Sequence, residues 1–382
     1  MINSISSIGS GRAPRSILMV GDKMLKWTSW TIEHSGVYEV GTIHVTVAAP
    51  YEDWSWWYMQ TEICVEVYVG FPPNRASYST DDLTSLMIAR IDDMSLDPAT
   101  MTLTLTGRDL AARFVDKKIS GDFRNLTSSQ VVQKVFNDMS AADELQGMTA
   151  NIDPTNTPIG SFSSADVVQL QKQTTAWTLM TFLAQHETMQ CFVLGKVLYF
   201  GSFGCGSLGG VISNEPYSIV FQPPTKDRPY PVANAQKLSL SHNMTLAGNV
   251  SLSVSSHDGQ KNVKSKATAT STNPNLTIGT GAQSVQTTQT VQYSFPNLSQ
   301  AECSKKAKQL VEEMGKHQLK LEATVPGDTV LFPWTPVVVS GTGTLLDDTY
   351  QIAKVSRSFD SSGYKMTLSC QTGSSEKKVK IS

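Results

Sequence analysis

Gly107-Arg108-Asp109-Leu110-Ala111-Ala112-Arg113-Phe114-Val115-Asp116 divides the chain into two kinds of sequence. Before it, apolar residues recur at every second position: Ile43, Val45 and Val47, then Ile63, Val65, Val67 and Val69. That period belongs to strands with one buried face. Met87 to Met94 and Met101 to Thr106 continue the pattern, and Ser95-Leu96-Asp97-Pro98-Ala99-Thr100 between them carries an Asp-Pro turn signal. Residues 1–107 therefore read as a first β-barrel or sandwich.

From Leu110 onward the period lengthens. Leu110 to Val115 reads as a short helical turn, and Thr127-Ser128-Ser129-Gln130 is a capping box ahead of Val132, Val135, Phe136 and Met139 on one helix face. Thr174 to Gln185 repeats the helical pattern, and Cys191 to Phe200 reads as a hairpin turning at Gly195-Lys196. Residues 108–205 are thus expected to form an α/β insertion, followed by a Gly- and Pro-rich linker, 206–235. Alternation resumes at Leu238 and Leu240, then at Val250, Leu252 and Val254. It returns in Leu319 to Val325, Pro336 to Gly341, Tyr350 to Phe359 and Tyr364 to Gln371. A second β domain over 236–371 follows, with a helix at 299–315 opened by the capping box Ser299-Gln300-Ala301-Glu302 and plugging one side of it. Residues 261–292, rich in Thr, Ser, Gln and Asn, read as an exposed extended hairpin or a loop, and 372–382 as a C-terminal tail.

Two distant hairpins echo each other. Ile88-Ala89-Arg90-Ile91 with Met101-Thr102-Leu103-Thr104 matches Ile352-Ala353-Lys354-Val355 with Met366-Thr367-Leu368-Ser369, each after an apolar strand ending in glycine, Gly70 or Gly341. Either one β unit occurs twice, or any two antiparallel hairpins look this much alike. A duplicated unit has a symmetry consequence: three chains would present six similar parts.

The 382 residues hold 31 Lys plus Arg against 33 Asp plus Glu, a net charge of -2, which gives no bulk field for a polyanion. Only 17% are charged, against roughly 25% in an average soluble protein, and Ser plus Thr outnumber all the charges. No run approaches the ~18 apolar residues of a membrane span, and Met1-Ile2-Asn3-Ser4 lacks the basic start of a signal peptide. Synthesis in the cytoplasm is the expectation. Cys64, Cys191, Cys205, Cys303 and Cys370 are scattered and form no C-x-x-C pair, so they read as structural thiols.

Sequences that suggest chemistry stop short of it. His186-Glu187-Thr188-Met189-Gln190 has glutamine where a zinc-binding H-E-x-x-H needs its second imidazole, so His186 reads as a polar helix end. Gly204-Cys205-Gly206-Ser207-Leu208-Gly209 fits G-x-G-x-x-G without a following helix to hold a pyrophosphate, and reads as linker. The acidic pairs Asp92-Asp93, Glu312-Glu313 and Asp347-Asp348 would be needed for a glycosidase, but they fall at turns or on an outer helix face. No metal, cofactor or catalytic residue is expected. The densest unusual feature is Tyr51-Glu52-Asp53-Trp54-Ser55-Trp56-Trp57-Tyr58, between two strands. Trp54, Trp56, Trp57 and Tyr58 are either core or an interface anchor, since Trp and Tyr concentrate at protein contacts; a sugar platform is a third use.

In order and spacing, three segments resemble the baseplate hub proteins of contractile-tailed phages, including the Mu-like hub and the late control D group, whose modules also occur in type VI secretion spikes. They are Gly107 to Asp116; Trp177 to Ala184 with the hairpin Phe192 to Gly201; and the run Val325-Pro326-Gly327-Asp328, Val337 to Gly341 and Asp348 to Phe359. The resemblance implies a mainly β chain with an α+β insertion: two tail-tube-like β-barrels flanking a mixed α/β middle domain. It further implies a structural virion protein of the tail baseplate, not an enzyme and without cofactor. Such a protein forms a homotrimer whose six barrels join the sixfold tail tube protein to the threefold central spike protein. It also meets other baseplate proteins, and its channel holds tape-measure protein or transiently passes DNA; no membrane insertion is implied. The residues after Cys370 leave no room for a spike needle or lysozyme-like domain, which are expected on other chains. A cell-wall glycan hydrolase or a glycan-binding tail component using Trp54, Trp56 and Trp57 remains the alternative.

Overall fold

The computed structural model describes residues 13–381 apart from 120–122, 124–125, 157–173, 188, 204–214, 243–248, 259–262, 272–287, 297–298, 317–318, 345 and 373–378. The alternating segments are strands: β1 (Arg15–Val20), β2 (Lys23–Met24), β3 (Trp27–His34), β4 (Thr42–Ala48), β5 (Cys64–Gly70), β6 (Thr84–Asp97) and β7 (Thr102–Asp109), with helix α1 (Trp54–Met59) between β4 and β5. They pair in the order β3–β4–β7–β6–β5–β1–β2. Ile43, Val45, Val47, Val65, Val67, Val69, Leu103 and Leu105 are buried, as a period of two requires of a one-sided sheet. Trp30 Nε1 donates to Ser16 Oγ at 3.1 Å and Trp27 Nε1 to the Ser16 carbonyl at 3.2 Å, drawing β1 towards β3 from opposite ends of this run. β6 extends to Asp97, so Ser95 to Asp97, expected in a turn, are strand. Asp97 Oδ1 accepts the Ala99 amide at 2.9 Å and places the reversal after itself.

The stretch 107–116 then carries the chain out of the sheet. A Cβ at Gly107 would lie 2.2 Å from the Arg90 carbonyl oxygen, so only glycine fits against β6 there. Asp109 accepts the Gly41 amide at 2.7 Å with one carboxylate oxygen and the Ala111 amide at 2.9 Å with the other, which fixes the bend into α2 (Ala112–Asp116). β8 (Lys118–Ile119), α3 (Ser128–Ala141), β9 (Thr149–Ile152), β10 (Thr174–Thr175), α4 (Ala176–Glu187), β11 (Gln190–Leu194) and β12 (Val197–Gly201) follow. Thr127 and Gln130 close the capping box at α3. The helices share a core with the sheet β11–β12–β9, built from Phe114, Val132, Met139, Met180 and Phe200. His186 lies in the last turn of α4, and burial lowers its pKa, so it serves there as a polar rather than a cationic group.

The chain continues through β13 (Tyr217–Gln222), β14 (Val232–Ala233), β15 (Lys237–His242), β16 (Asn249–Asp258), β17 (Val263–Ser271), β18 (Thr288–Pro296) and α5 (Gln300–Lys316). It ends with β19 (Leu319–Pro326), β20 (Pro336–Ser340), β21 (Thr349–Asp360), β22 (Gly363–Thr372) and β23 (Val379–Ile381). A second run of strands is ordered β15–β19–β22–β21–β20–β13. Pairing of β3 with β21 joins it to the first in one 14-stranded sheet.

Four expectations are corrected. The helix at 299–315 does not plug the second β unit. Cys303, Ala307 and Val311 of α5 pack on Leu252, Val254, Ala267 and Ala269 of a separate four-stranded sheet, β18–β16–β17–β23. Small alanines on β17 admit the helix, whereas the second sheet fills its own face with Leu321, Val325, Ile352 and Leu368. Within 261–292, residues 263–271 therefore form strand β17, in which Ser265, Ala267 and Ala269 are buried, an apolar face disguised by alanine. Within 206–235, Tyr217 and Ile219 of β13 are buried and pair in parallel with β20, so this part is sheet rather than linker. In the tail, β23 pairs with β17. Cys205 and the glycine motif 204–209 lie outside the described residues.

Candidate assembly interface

The two β runs are one unit used twice. Pairing is antiparallel along β3–β4–β7–β6–β5 and again along β15–β19–β22–β21–β20. A β-bulge interrupts β6 between Ile91 and Asp93 and interrupts β21 between Ile352 and Lys354. Beside each bulge the same hydrogen bond recurs, Ile91 N to Ile63 O at 2.8 Å and Ile352 N to Thr335 O at 3.1 Å. Aligned on the bulges, buried Ile43, Val45 and Val47 of β4 match buried Leu321, Ala323 and Val325 of β19. The echo in the sequence lies on these hairpins but out of register: Ile91, not Ile88, is the counterpart of Ile352, and Leu103, not Met101, that of Met366. The units differ in the sixth strand, β1 being antiparallel to β5 and β13 parallel to β20.

Inside the chain the units meet edge to edge, with His34 opposite Val355, Ile32 opposite Arg357 and Trp30 opposite Phe359. Arg357 is fully buried. Its guanidinium donates to His34 Nδ1 at 2.9 Å and to the Leu331 carbonyl, and lies 4.7 Å from the Phe332 ring centroid. His34 Nε2 is 2.9 Å from the Leu86 carbonyl on β6, so the neutral imidazole protonated at Nε2 satisfies both contacts. Burial, followed by the Arg357 charge, pulls the His34 pKa down to about 3. Trp27, Trp30 and Tyr364 surround Phe359 with ring centroids 5.0 to 5.9 Å away, and Lys354 pairs with Glu33 at 2.7 Å at the rim. The sequence reading missed β3, His34 and Arg357. Alternation of Trp30, Ile32 and His34 was the available signal.

The insertion braces this joint. Trp177 Nε1 donates to the Tyr38 carbonyl at 3.1 Å, Tyr38 Oη to the Met189 carbonyl at 2.6 Å, and the Phe192 ring packs at a tilt against Trp334 in the segment before β20, centroids 4.3 Å apart.

The four aromatic residues singled out in the sequence are divided by α1. Trp57 is 3% exposed and belongs to the core of the first unit. Trp54 and Trp56 pack partly against that core; the Trp54 indole donates to the Ala49 carbonyl at 2.9 Å, and Lys23 Nζ lies 4.1 Å from the Trp56 ring while pairing with Asp53. Tyr58 is 63% exposed, with Tyr51 and Met59 also in solvent.

The acidic pairs serve structure where they are described. Asp92 binds Arg90 and Arg108, which also meet Asp116 of α2, and the Asp347 carboxylate accepts the Thr342 and Gly343 amides, each at 2.9 Å, to close a turn. A cavity of about 200 Å³ lies between the first unit and the insertion, near Cys64, Glu66, Arg113 and Gln146. Arg113 there is already held by Glu62 at 2.6 Å and Gln146 at 2.7 Å. Among the described residues no cluster of three or more His, Cys, Asp or Glu is placed to hold a metal ion, and no helix is long and apolar enough to cross a membrane.

No protein-family model matches the chain, and no curated protein matches it by sequence. Solved structures do match along nearly its whole length. The tail protein from Neisseria meningitidis MC58 superimposes with a TM-score of 0.64 at 14% identity, over 94% of this chain and 96% of that one. The 43 kDa tail protein of prophage MuSo2 from Shewanella oneidensis gives 0.62 at 15% identity, over 94% and 98%. Prophage tail protein gp18 from Listeria monocytogenes EGD-e gives 0.54 at 13% identity, over 95% of each chain. The likeness is one of fold, a mainly β arrangement shared from end to end.

Proposed function

We propose that this chain is a structural component of a phage tail baseplate: a hub that assembles as a homotrimer, joins the sixfold tail tube to the threefold central spike and lines the channel between them. The observation that carries the proposal is the repeated β unit, joined edge to edge by β3 and β21. A protein with two equivalent units per chain offers six equivalent positions when three chains close a ring, and keeps threefold symmetry wherever the units differ. The insertion and the β16–α5 module occur once per chain and supply the threefold face, towards a spike. The fold shared with a bacterial tail protein and two prophage tail proteins supports a tail component. Domain limits on this reading are 13–109 for the first unit, 110–203 for the insertion and 215–372 for the second unit with its β16–α5 module.

The reading makes the chain a scaffold in the virion, without bond-making chemistry of its own. Equilibrium sedimentation of the purified chain tests it. Three chain masses is the expected result; a monomer up to the solubility limit contradicts the hub.

A further inference from the structure

The joint between β3 and β21 has a counterpart that no described strand fills. β21 changes partner along its length: its first half pairs with β20 and its second half, Val355 to Phe359, with β3. β6 begins in the same way, pairing with β5 as far as Arg90. Beyond the bulge, however, Asp93 to Asp97 pair with β7 on one side only among the described residues. Likewise, among the described strands β15, the counterpart of β3, pairs only with β19. Among the described strands these two edges carry no second neighbour, and they are the edges whose equivalents meet inside the chain.

We infer that the second half of β6 takes up β15 of a second copy of this chain as an antiparallel neighbour, Ser95 opposite Ser241 and Leu96 opposite Leu240. The register follows from the bulge alignment, in which Ser356 opposite Glu33 and Arg357 opposite Ile32 occupy the same places. The side chains fit the assignment. Met94 and Leu96 pack partly on the first unit's core, Leu238 and Leu240 partly on the second's, and all four are half-buried. Pairing the edges completes their burial and satisfies two rows of open backbone groups. Asp97 lies diagonal to Lys237 across the pair, within reach of long side chains. Where the internal joint buries Arg357, this one has Leu96, so contact between copies is sealed by apolar side chains instead of an obligatory buried cation.

The contact is heterologous, one edge on each copy being used by a different neighbour, so it repeats head to tail until it closes. Closure at three copies rests on the hub reading; the strand pairing itself does not.

Full-length Ser95→Cys/Ser241→Cys chain, mildly oxidised and run without reductant beside the parent chain, tests the pairing. Opposed strand positions bring Cα atoms to about 4.5–5.5 Å, within disulfide range. Bands of two and three chains are expected, with none larger. An equal mixture of the two single variants should stop at two chains, and Ser95→Cys/Leu238→Cys, three positions out of register, should give neither ladder. Trimers by light scattering without cross-links would overturn this pairing and leave the hub reading intact. Ladders running past three chains would support the pairing and overturn closure. Monomers without cross-links would overturn both.

Discussion

Arg357 shows what single residues do at the joint. A fully buried guanidinium is tolerable only with its donors engaged, and here they reach His34 and backbone carbonyls on the segment before β20. Arg357→Met is expected to cost about 1–3 kcal/mol, since it leaves those neutral acceptors buried without a donor; urea unfolding of the parent and variant measures it. His34 adds a pH term. The folded imidazole stays neutral down to about pH 3, whereas the unfolded one takes a proton near pH 6.5. Between those values the unfolded state binds more protons, so the contribution is whole above pH 6.5 and is lost as the pH falls towards 3. The stability advantage of the parent over His34→Gln should therefore shrink by up to about 2.5 kcal/mol between about pH 7 and about pH 4.5 in paired urea titrations. In α1, Trp57→Ala should cost about 3–5 kcal/mol by emptying a core site. Tyr58→Ala should leave stability within about 0.5 kcal/mol, so any loss of association in that variant reports a contact. None of this division was legible beforehand. Trp54, Trp56, Trp57 and Tyr58 are equally aromatic in sequence, and only the helix phase sorts them. Arg357 looks like any strand arginine until β3 is placed against it.

Elements were more readable than residues. Period-two alternation located β4, β5, β7 and β19 to β22 within a few residues, because each buries one face and exposes the other. Both capping boxes start helices where expected, at Thr127 and Ser299. Misreadings occurred where burial uses small or unpatterned residues. β1 lacks alternation, its apolar residues Ile17 to Val20 being consecutive, β17 hides its buried face in Ala267 and Ala269, and α5 shows its apolar stripe without showing what the stripe covers. The β16–α5 module illustrates the consequence. It occupies the place between β15 and β19 that the connection 35–41 occupies between β3 and β4, and His242 and Leu319 stand opposite each other at its mouth. Replacing residues 243–318 with the sequence Ser35–Gly41 should keep the second sheet folded, since its core is separate from that of the module. Retention of the β-type far-ultraviolet spectrum with cooperative melting is the expected result, and loss of both would show that the module props the sheet.

For the whole molecule, symmetry was the most informative thing in the sequence and the least precise. The echoed hairpins indicated a repeated unit, but its register became visible only through the two bulges and the strand order around them. The proposed hub rests on the fold shared with tail proteins and on the internal repeat: two copies of one β unit and, once each, the insertion and the β16–α5 module. Electron-microscopic class averages of the purified protein test this most directly. The account predicts rings around a central hole with six similar densities, alternating in their outer attachments so that only threefold symmetry is exact. Rings of six identical subunits, or particles without a hole, would contradict it.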